Sequence, residues 1–197
     1  MEFKVFGLYD SSNIVIEDVA LRGYLNVEPR LLLKSQGKNV GKFGQSKSHI
    51  VERIAQRISV PGHVGKKHKI VTGWNTGGYR NNIKIVLEAL EIIEKKTKEN
   101  PIQVVVRAIE RASPRDEITT IEYGGARYPQ AVDVSPLRRI NLAIRWIVQG
   151  AYQKSFGKKK KMAESLANEI MLAADENMEG YALQKKNEAE KQADAAR

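Results

Sequence analysis

Between Ser135 and Lys161 the chain reads SPLRRINLAIRWIVQGAYQKSFGKKKK, with eight Lys or Arg residues and no Asp or Glu. Guanidinium forks match phosphate oxygens two bonds at a time, so the chemistry on offer is the holding of phosphate. Exposed helix surfaces usually interleave the two signs, because Glu and Lys at helical spacing support a helix and like charges weaken it. Nothing inside this stretch offsets the repulsion, and the missing anions are expected on a partner. Turned by about 100° per residue, the segment gathers Leu137, Ile140, Ile144, Ile147, Val148 and Ala151 into one apolar stripe, the expected core face. The other side collects Arg138, Arg139, Arg145, Trp146, Gln149 and Gln153. Burying the arginines would require carboxylates that the helix lacks, so they are expected to face a polyanion. Two readings of Trp146 stand: its indole stacks on a base, or a second layer, to which Leu142 would also belong, covers this side and makes the ring core.

The remaining positive charge is also blocked rather than spread. The net charge is +10, and residues 34–80 hold ten Lys and Arg against one acid, Glu52, while 1–33, 81–134 and 162–197 are each net negative. Such clustering is the footprint of a polyanionic partner. In the Gly-rich loop SQGKNVGKFGQSKS the contacts expected are Lys38, Lys42 and Lys47. In PGHVGKKHKIVTGWNTGGYR they are Lys66, Lys67, His68, Lys69 and Arg80. The run Lys158, Lys159, Lys160 and Lys161 beside the arginine face extends the same phosphate-contact strip. Gly-rich basic loops can follow a folded RNA backbone and order on binding.

Other chemistry is missing. GKNVGKF imitates a phosphate-binding loop, but Gly37 is one residue too close to Gly41-Lys42, and Phe43 stands where the Mg²⁺-binding hydroxyl belongs. His49, His63 and His68 have no carboxylate or Cys at ligand spacing, and the chain contains no Cys, so neither a metal site nor a disulfide framework is expected. No cofactor is expected. The N-terminus MEFKVFGLYD lacks the features of a signal peptide, and no apolar run approaches the roughly 18 residues of a membrane span. An intracellular, membrane-free protein is expected.

These groups need a scaffold, and the periodicity supplies one. Ile50, Ile54 and Ile58 with Val51 and Ala55 mark a helix that Pro61 and Gly62 end. A second helix runs from Asn81 to about Lys98 on Ile83, Val86, Leu87, Leu90 and Ile93. Asn100 and Pro101 cap and start a third, which Pro114 stops. Residues 117–134 place β-branched and aromatic residues around Gly124 and Gly125, predicting a hairpin with a loop longer than two residues. Its turn carries Arg127 between Tyr123 and Tyr128, which either form a plain cross-strand pair or present a cation and rings at a projecting tip. Ser135 and Pro136 repeat the cap-plus-proline start. MAESLANEIMLAADENM follows as a helix with Ala163, Leu166, Ala167, Ile170, Met171 and Ala174 on one face, and 181–197 favours helix with little apolar surface to dock it. The first 33 residues suggest a short strand and irregular structure lying across the body. The expected fold is mainly α: about six helices, one protruding hairpin and an irregular N-terminal extension. The division expected is 1–46 as the extension with its basic loop, 47–180 as the helical domain with its hairpin at about 117–134, and 181–197 as a helical tail.

The stretch GGARYPQAVDVSPLRRINLAIRWIV, from Gly124 to Val148, resembles the hallmark of the small-subunit ribosomal protein seven family. The fitting positions are Gly124, Gly125, Tyr128, Val132, Val134, Pro136, Arg138, Arg139, Leu142, Ala143, Arg145, Trp146, Ile147 and Val148. Met162, Ala163 and Leu166 to Glu169 fit downstream, and Lys185, Lys186 and Glu188 more loosely in the tail. The resemblance runs from about residue 47 to the end, and the longer segment before it looks like the archaeal and eukaryotic branch. It implies a helical bundle with an extended hairpin that binds the 3′ major domain of small-subunit rRNA and nucleates assembly of the subunit head. It also implies that the hairpin and C-terminal part, with Tyr123, Arg127, Tyr128, Lys185 and Lys186, lie near the exit-site tRNA and mRNA. The implied neighbours are small-subunit ribosomal proteins such as nine, eleven and thirteen, and the implied location is the cytoplasmic small subunit. A non-catalytic rRNA-binding protein is therefore expected. The rival classes are an RNA-modifying or RNA-cleaving enzyme and a basic DNA-binding module, although no helix-turn-helix pair is evident.

Overall fold

The computed structural model describes residues 4–28, 41–61 and 78–197. Among them, seven helices and one hairpin follow in order: α1 (Val19–Arg22), α2 (Ile50–Ile58), α3 (Tyr79–Thr97), α4 (Pro101–Ala112), β1 (Asp116–Tyr123), β2 (Ala126–Asp133), α5 (Pro136–Ser155), α6 (Met162–Ala174) and α7 (Tyr181–Asp194). The architecture is mainly α, as the periodicity predicts.

Local chemistry sets the helix starts. Asn100 Oδ1 accepts from the Ile102 amide at 3.1 Å with Pro101 in the first turn, a cap worth about 1 kcal/mol. α5 begins at Pro136 as expected, but Ser135 makes no side-chain cap bond, so the start rests on the preset φ of proline. His49 caps α2, its Nδ1 accepting from the Val51 amide at 3.2 Å. One of the three sequence histidines is thus a buried structural group.

The apolar stripes meet as anticipated. α6 packs against α3, α4 and α5, and its small Ala163, Ala167, Ala173 and Ala174 let these helices come close around Leu166 and Ile170. In α5, Ile140, Ile144, Ile147, Val148 and Ala151 are buried. Each fully buried Ile or Leu contributes about 1.5–3 kcal/mol.

The N-terminal segment holds one helical turn and an isolated Val5–Tyr9 bridge in place of the expected strand. It shares the main core through Val5, Tyr9, Ile16, Leu21 and Leu25. It is also pinned along α4. Asn100 Nδ2 donates to the Asp10 carbonyl at 2.6 Å, Gln103 exchanges two 2.9 Å bonds with the backbone of Val15, and Glu110 Oε1 accepts from the Asp18 amide at 3.1 Å. Side chains of α4 thus satisfy extended backbone that no strand pairs with.

The hairpin differs from expectation at its turn. Tyr123 pairs with Ala126, leaving a two-residue turn of Gly124 and Gly125 at φ 60° and 81°. Both positions need positive φ, which glycine adopts without strain, and this tight form matches the strand twist. Ile121 faces Tyr128 and Tyr123 faces Ala126, so the tyrosines are not cross-strand partners.

The C-terminal helix also corrects the sequence reading. α7 does dock: Ala182, Leu183 and Ala193 are buried, and polar tethers do the rest. Glu190 Oε1 accepts from the Arg115 amide at 3.0 Å, Lys186 Nζ donates to the Arg111 carbonyl at 2.8 Å, and Arg197 Nη2 pairs with Asp116 Oδ2 at 2.5 Å. α7 thereby braces the base of the hairpin. No described helix is long and apolar enough to cross a membrane.

Candidate nucleic-acid interface

Three of the eight cations between Ser135 and Lys161 find carboxylates inside the molecule. Arg138 grips Glu117 of β1 through both ends of its fork, at 2.6 and 2.7 Å, and the hydrogen bond holds the guanidinium pKa above its ordinary value. Arg139 is only 8 % exposed. It donates to Asp18 Oδ2 at 2.7 Å and to Ser113 Oγ at 3.3 Å. Lys154 pairs with the fully buried Glu169 of α6. The expectation that these arginines all face outward is therefore corrected for Arg139, and Arg138 is only partly available. The carboxylates come from elements distant in sequence, so the helix by itself looked anion-free.

Asp18 shows the electrostatics of this joint. Burial pushes its carboxyl pKa up, but the hydrogen bond from Arg139, the Ala20 amide and the charges of Arg139 and Arg115 outweigh burial and hold it below the usual range. Glu110 nearby is pushed up, chiefly by burial.

Arg145, midway along α5, and the turn after the helix keep their charge. Arg145 and Lys158 to Lys161 are exposed, and among the described residues no carboxylate pairs with any of them. The four lysines immediately precede α6, where the helix dipole is already positive, so only one acid, Glu164, answers them in that helix's first turn. An approaching polyanion relieves both. Trp146 is half-buried and packs against the core, while Leu142 and Gln149 are buried and Gln153 is exposed. A second layer thus covers part of this side, as one of the two readings of Trp146 required.

α2 and the turn before it bring further cations to α5. Asn141, one helical turn before Arg145, donates through Nδ2 to Gln45 Oε1 at 3.1 Å, which draws the Lys42–Lys47 segment to this helix. Lys42 and Lys47 are exposed there, and Arg80 is exposed in the first turn of α3. Lys38, Lys66, Lys67, His68 and Lys69 lie outside the described residues. Arg53 and Arg57, which lie four apart on α2, are not among the contacts expected from the sequence. Arg53 is 2 % exposed, and its Nη1 and Nη2 donate to neutral acceptors, the Tyr24 carbonyl and Asn141 Oδ1, each at 3.0 Å, while Nε has no hydrogen-bond partner among the described residues. Burial pushes its pKa down to about 10, so it remains a cation at neutral pH. The available signal was arginine among the isoleucines of a helix with a single acid.

The hairpin tip is open. Tyr123 is 82 % and Tyr128 58 % exposed, and Arg127 Nε lies 3.5 Å from Glu122 Oε2 across the strands. Lys185 pairs with Glu188, and Lys186 caps the carbonyl end of α4, so both lysines have internal work. Among the described residues no cluster of His, Asp or Glu could hold a metal ion.

A family model described as Ribosomal protein S7p/S5e matches residues 30–197. The chain is 48 % identical over 198 residues to the small ribosomal subunit protein uS7 of Nanoarchaeum equitans, covering all of both chains. It is 42 % identical over 200 residues to the protein of that name from Methanococcus maripaludis strain C6, again over the full length of both. With that of Methanosphaera stadtmanae it shares 40 % over 197 residues, also full-length. Likeness to these archaeal proteins extends through the N-terminal segment that the family model leaves out. Family model and full-length relatives agree that the chain belongs to the ribosomal protein S7p/S5e family.

Proposed function

We propose that the chain binds the 3′ major domain of small-subunit rRNA, nucleates assembly of the subunit head and lies near the exit-site tRNA and mRNA. As a member of its family it is a structural constituent of the small ribosomal subunit in the cytoplasm, an rRNA-binding protein of translation and not an enzyme. The observation that carries the finer reading is the set of exposed cations without a carboxylate partner among the described residues, Arg145 on α5 and Lys158 to Lys161 in the connection between α5 and α6. Phosphate contacts from this set, with Lys42, Lys47 and Arg80, fix the register on a folded RNA, while shape and unstacked bases supply specificity. Lys38, Lys66, Lys67, His68 and Lys69 belong to the same set by sequence. The exposed Tyr123, Arg127 and Tyr128 at the hairpin tip support a tRNA-facing and mRNA-facing role for that end, with Lys185 and Lys186 as secondary contributors. Neighbouring proteins nine, eleven and thirteen are the proposed protein contacts. The working division is 1–46 as the extension, 47–180 as the rRNA-binding domain and 181–197 as the tail.

The test compares affinity for a 3′ major domain fragment with that for an unrelated folded RNA of equal length over several salt concentrations. A large preference that survives high salt is expected. Equal affinities that vanish together with salt would refute the proposal, leaving a basic protein drawn to any RNA.

A further inference from the structure

α2 packs against α5. One link between them is Arg53 against Asn141, closed by the 3.0 Å bond from Arg53 Nη2 to Asn141 Oδ1. One turn on in both helices stand Arg57 and Arg145, whose charges lie within electrostatic reach of each other. The Nε and Nη2 atoms of Arg57 are shut off from solvent and have no hydrogen-bond partner among the described residues. Burial first, and then the charge of Arg145, push the Arg57 guanidinium pKa down.

The chain has few carboxylates left with which to neutralise this pair. No carboxylate among the described residues pairs with Arg57 or Arg145, and residues 29–40 and 62–77 contain no Asp or Glu at all. The remaining residues outside the described set, 1–3, contribute only Glu2. Two guanidinium groups sharing a site without an acceptor cost the free protein electrostatic energy, and an anion with several acceptor oxygens relieves both at once.

We propose that Arg57 and Arg145 form a two-guanidinium clamp that closes on a single backbone phosphate of RNA lying along α5. The inference rests on the RNA-binding reading above and deepens it: it adds a residue from α2 and makes two arginines act on one phosphate as a unit. Arg57 is pre-set, with Nε and Nη2 of its guanidinium already out of solvent, while Arg145, which is exposed, supplies the side from which the phosphate enters.

The experiment measures binding of the 3′ major domain fragment across salt, with the melting temperature of the free protein, for wild type, Arg57→Gln, Arg145→Gln and the double variant. Glutamine keeps the stem that packs and removes the charge. Each single change is expected to weaken binding by about tenfold to a hundredfold, the range for charge-assisted hydrogen bonds. The salt slope should fall by about one for either single variant and by about one, not two, for the double, because one phosphate is involved. Free Arg57→Gln should melt at the wild-type temperature or above it, since a repulsion has been removed. Arg57→Lys keeps the charge and loses the fork, and should hold the slope while weakening the affinity.

Wild-type slopes in both glutamine variants, with wild-type preference for the fragment intact, would overturn the clamp and leave the rRNA reading standing. Additive losses of slope would also overturn it, by showing two phosphates. A drop in the melting temperature of free Arg57→Gln that accounts for its loss of binding would reduce Arg57 to a packing residue. Should Arg57→Gln change the response to inorganic phosphate at constant ionic strength but not the RNA affinity, the site serves a free anion and the assignment to RNA falls. If wild type shows no preference for the fragment, the rRNA reading fails first and takes the clamp with it.

Discussion

Replacing Gly150 by alanine sets two familiar effects against each other with opposite signs. Gly150 lies in the last half of α5, where a built Cβ would stand 2.7 Å from Tyr181 Cβ, 2.8 Å from Glu169 Oε2 and 2.9 Å from Glu169 Cδ. These atoms cannot move freely. Glu169 is fully buried, its Oε2 accepts from the Tyr181 amide at 3.1 Å, and its other oxygen meets Lys154. In a solvent-exposed helix the same change would stabilise by about 1 kcal/mol, because alanine is the better helix former. Here overpacking costs about 1–3 kcal/mol. Pushing the carboxylate off the Tyr181 amide adds a buried, poorly satisfied group at about 1–3 kcal/mol.

The balance is a destabilisation of about 3 kcal/mol, since both penalties act through the same carboxylate and exceed the propensity gain. For a chain of this size that corresponds to a fall of roughly 6–12 °C in melting temperature. Thermal and urea denaturation followed by circular dichroism would read it. An independent check is Gly150→Ala in the Glu169→Ala background, where part of the clash is gone and the penalty should shrink by about 1 kcal/mol or more. A rise in melting temperature for Gly150→Ala would refute the reasoning, because it would show that α5, α6 and α7 do not meet as closely as described.

Three further outcomes are expected. Ile144→Ala, at a site only 3 % exposed, should lower stability by about 2–5 kcal/mol in urea titrations and leave the RNA salt slope unchanged wherever the protein is folded. Arg145→Ala should flatten that slope by about one and spare the fold, and an unchanged slope would put the side chain away from phosphate. Asp18→Asn should cost about 2–3 kcal/mol, because it strands the buried Arg139 while Asp18 itself is partly exposed. The Asp18 carboxyl pKa is lowered in the fold, so its contribution is fully present above the unfolded value of about 3.9. It is lost as pH falls through the folded value. Urea titrations from pH 7 to pH 2 should show a constant gap between wild type and variant that closes in acid, and a gap that persists at pH 2 would contradict the assignment.

The helices were legible because their information is local. Ile50, Ile54 and Ile58, or Ile140, Ile144 and Ile147, declare a buried face within a few turns, and the structure buries them. The ion pairs were illegible for the opposite reason. Arg139 and Asp18 are 121 residues apart, and Arg138 reaches Glu117 across 21, so no spacing rule could join them. The loop of the hairpin was over-long in prediction because Tyr123 and Ala126 continue the ladder with little β-branched signal. The strap of residues 4–28 escaped for a different reason, since side chain to backbone bonds from Asn100, Gln103 and Glu110 leave no pattern in the segment they hold. At α4 itself the trace is present, as Asn100, Gln103 and Glu110 recurring on one side of the helix and its cap. The tail misled because α7 docks more by tethers than by apolar area.

The partition of charge along α5 gives these pairs a joint meaning. In its first turn Arg138 and Arg139 are tied to β1 and to the N-terminal strap, so the direction of the hairpin and the seat of the strap are both referred to this one helix. One and a half turns later Arg145 has no carboxylate partner among the described residues, and with Lys154 spent on Glu169 it begins an open set that Lys158 to Lys161 complete. A charge spent on an internal carboxylate cannot hold phosphate, and a charge left free does nothing to stiffen the fold. Dividing the two tasks along a single 20-residue helix lets the rigid end position the hairpin while the open end remains available to RNA. A polyanion bound at the open end would then find the hairpin tip at a fixed distance, because the same helix carries both, and that separation is what a protein that positions RNA has to supply.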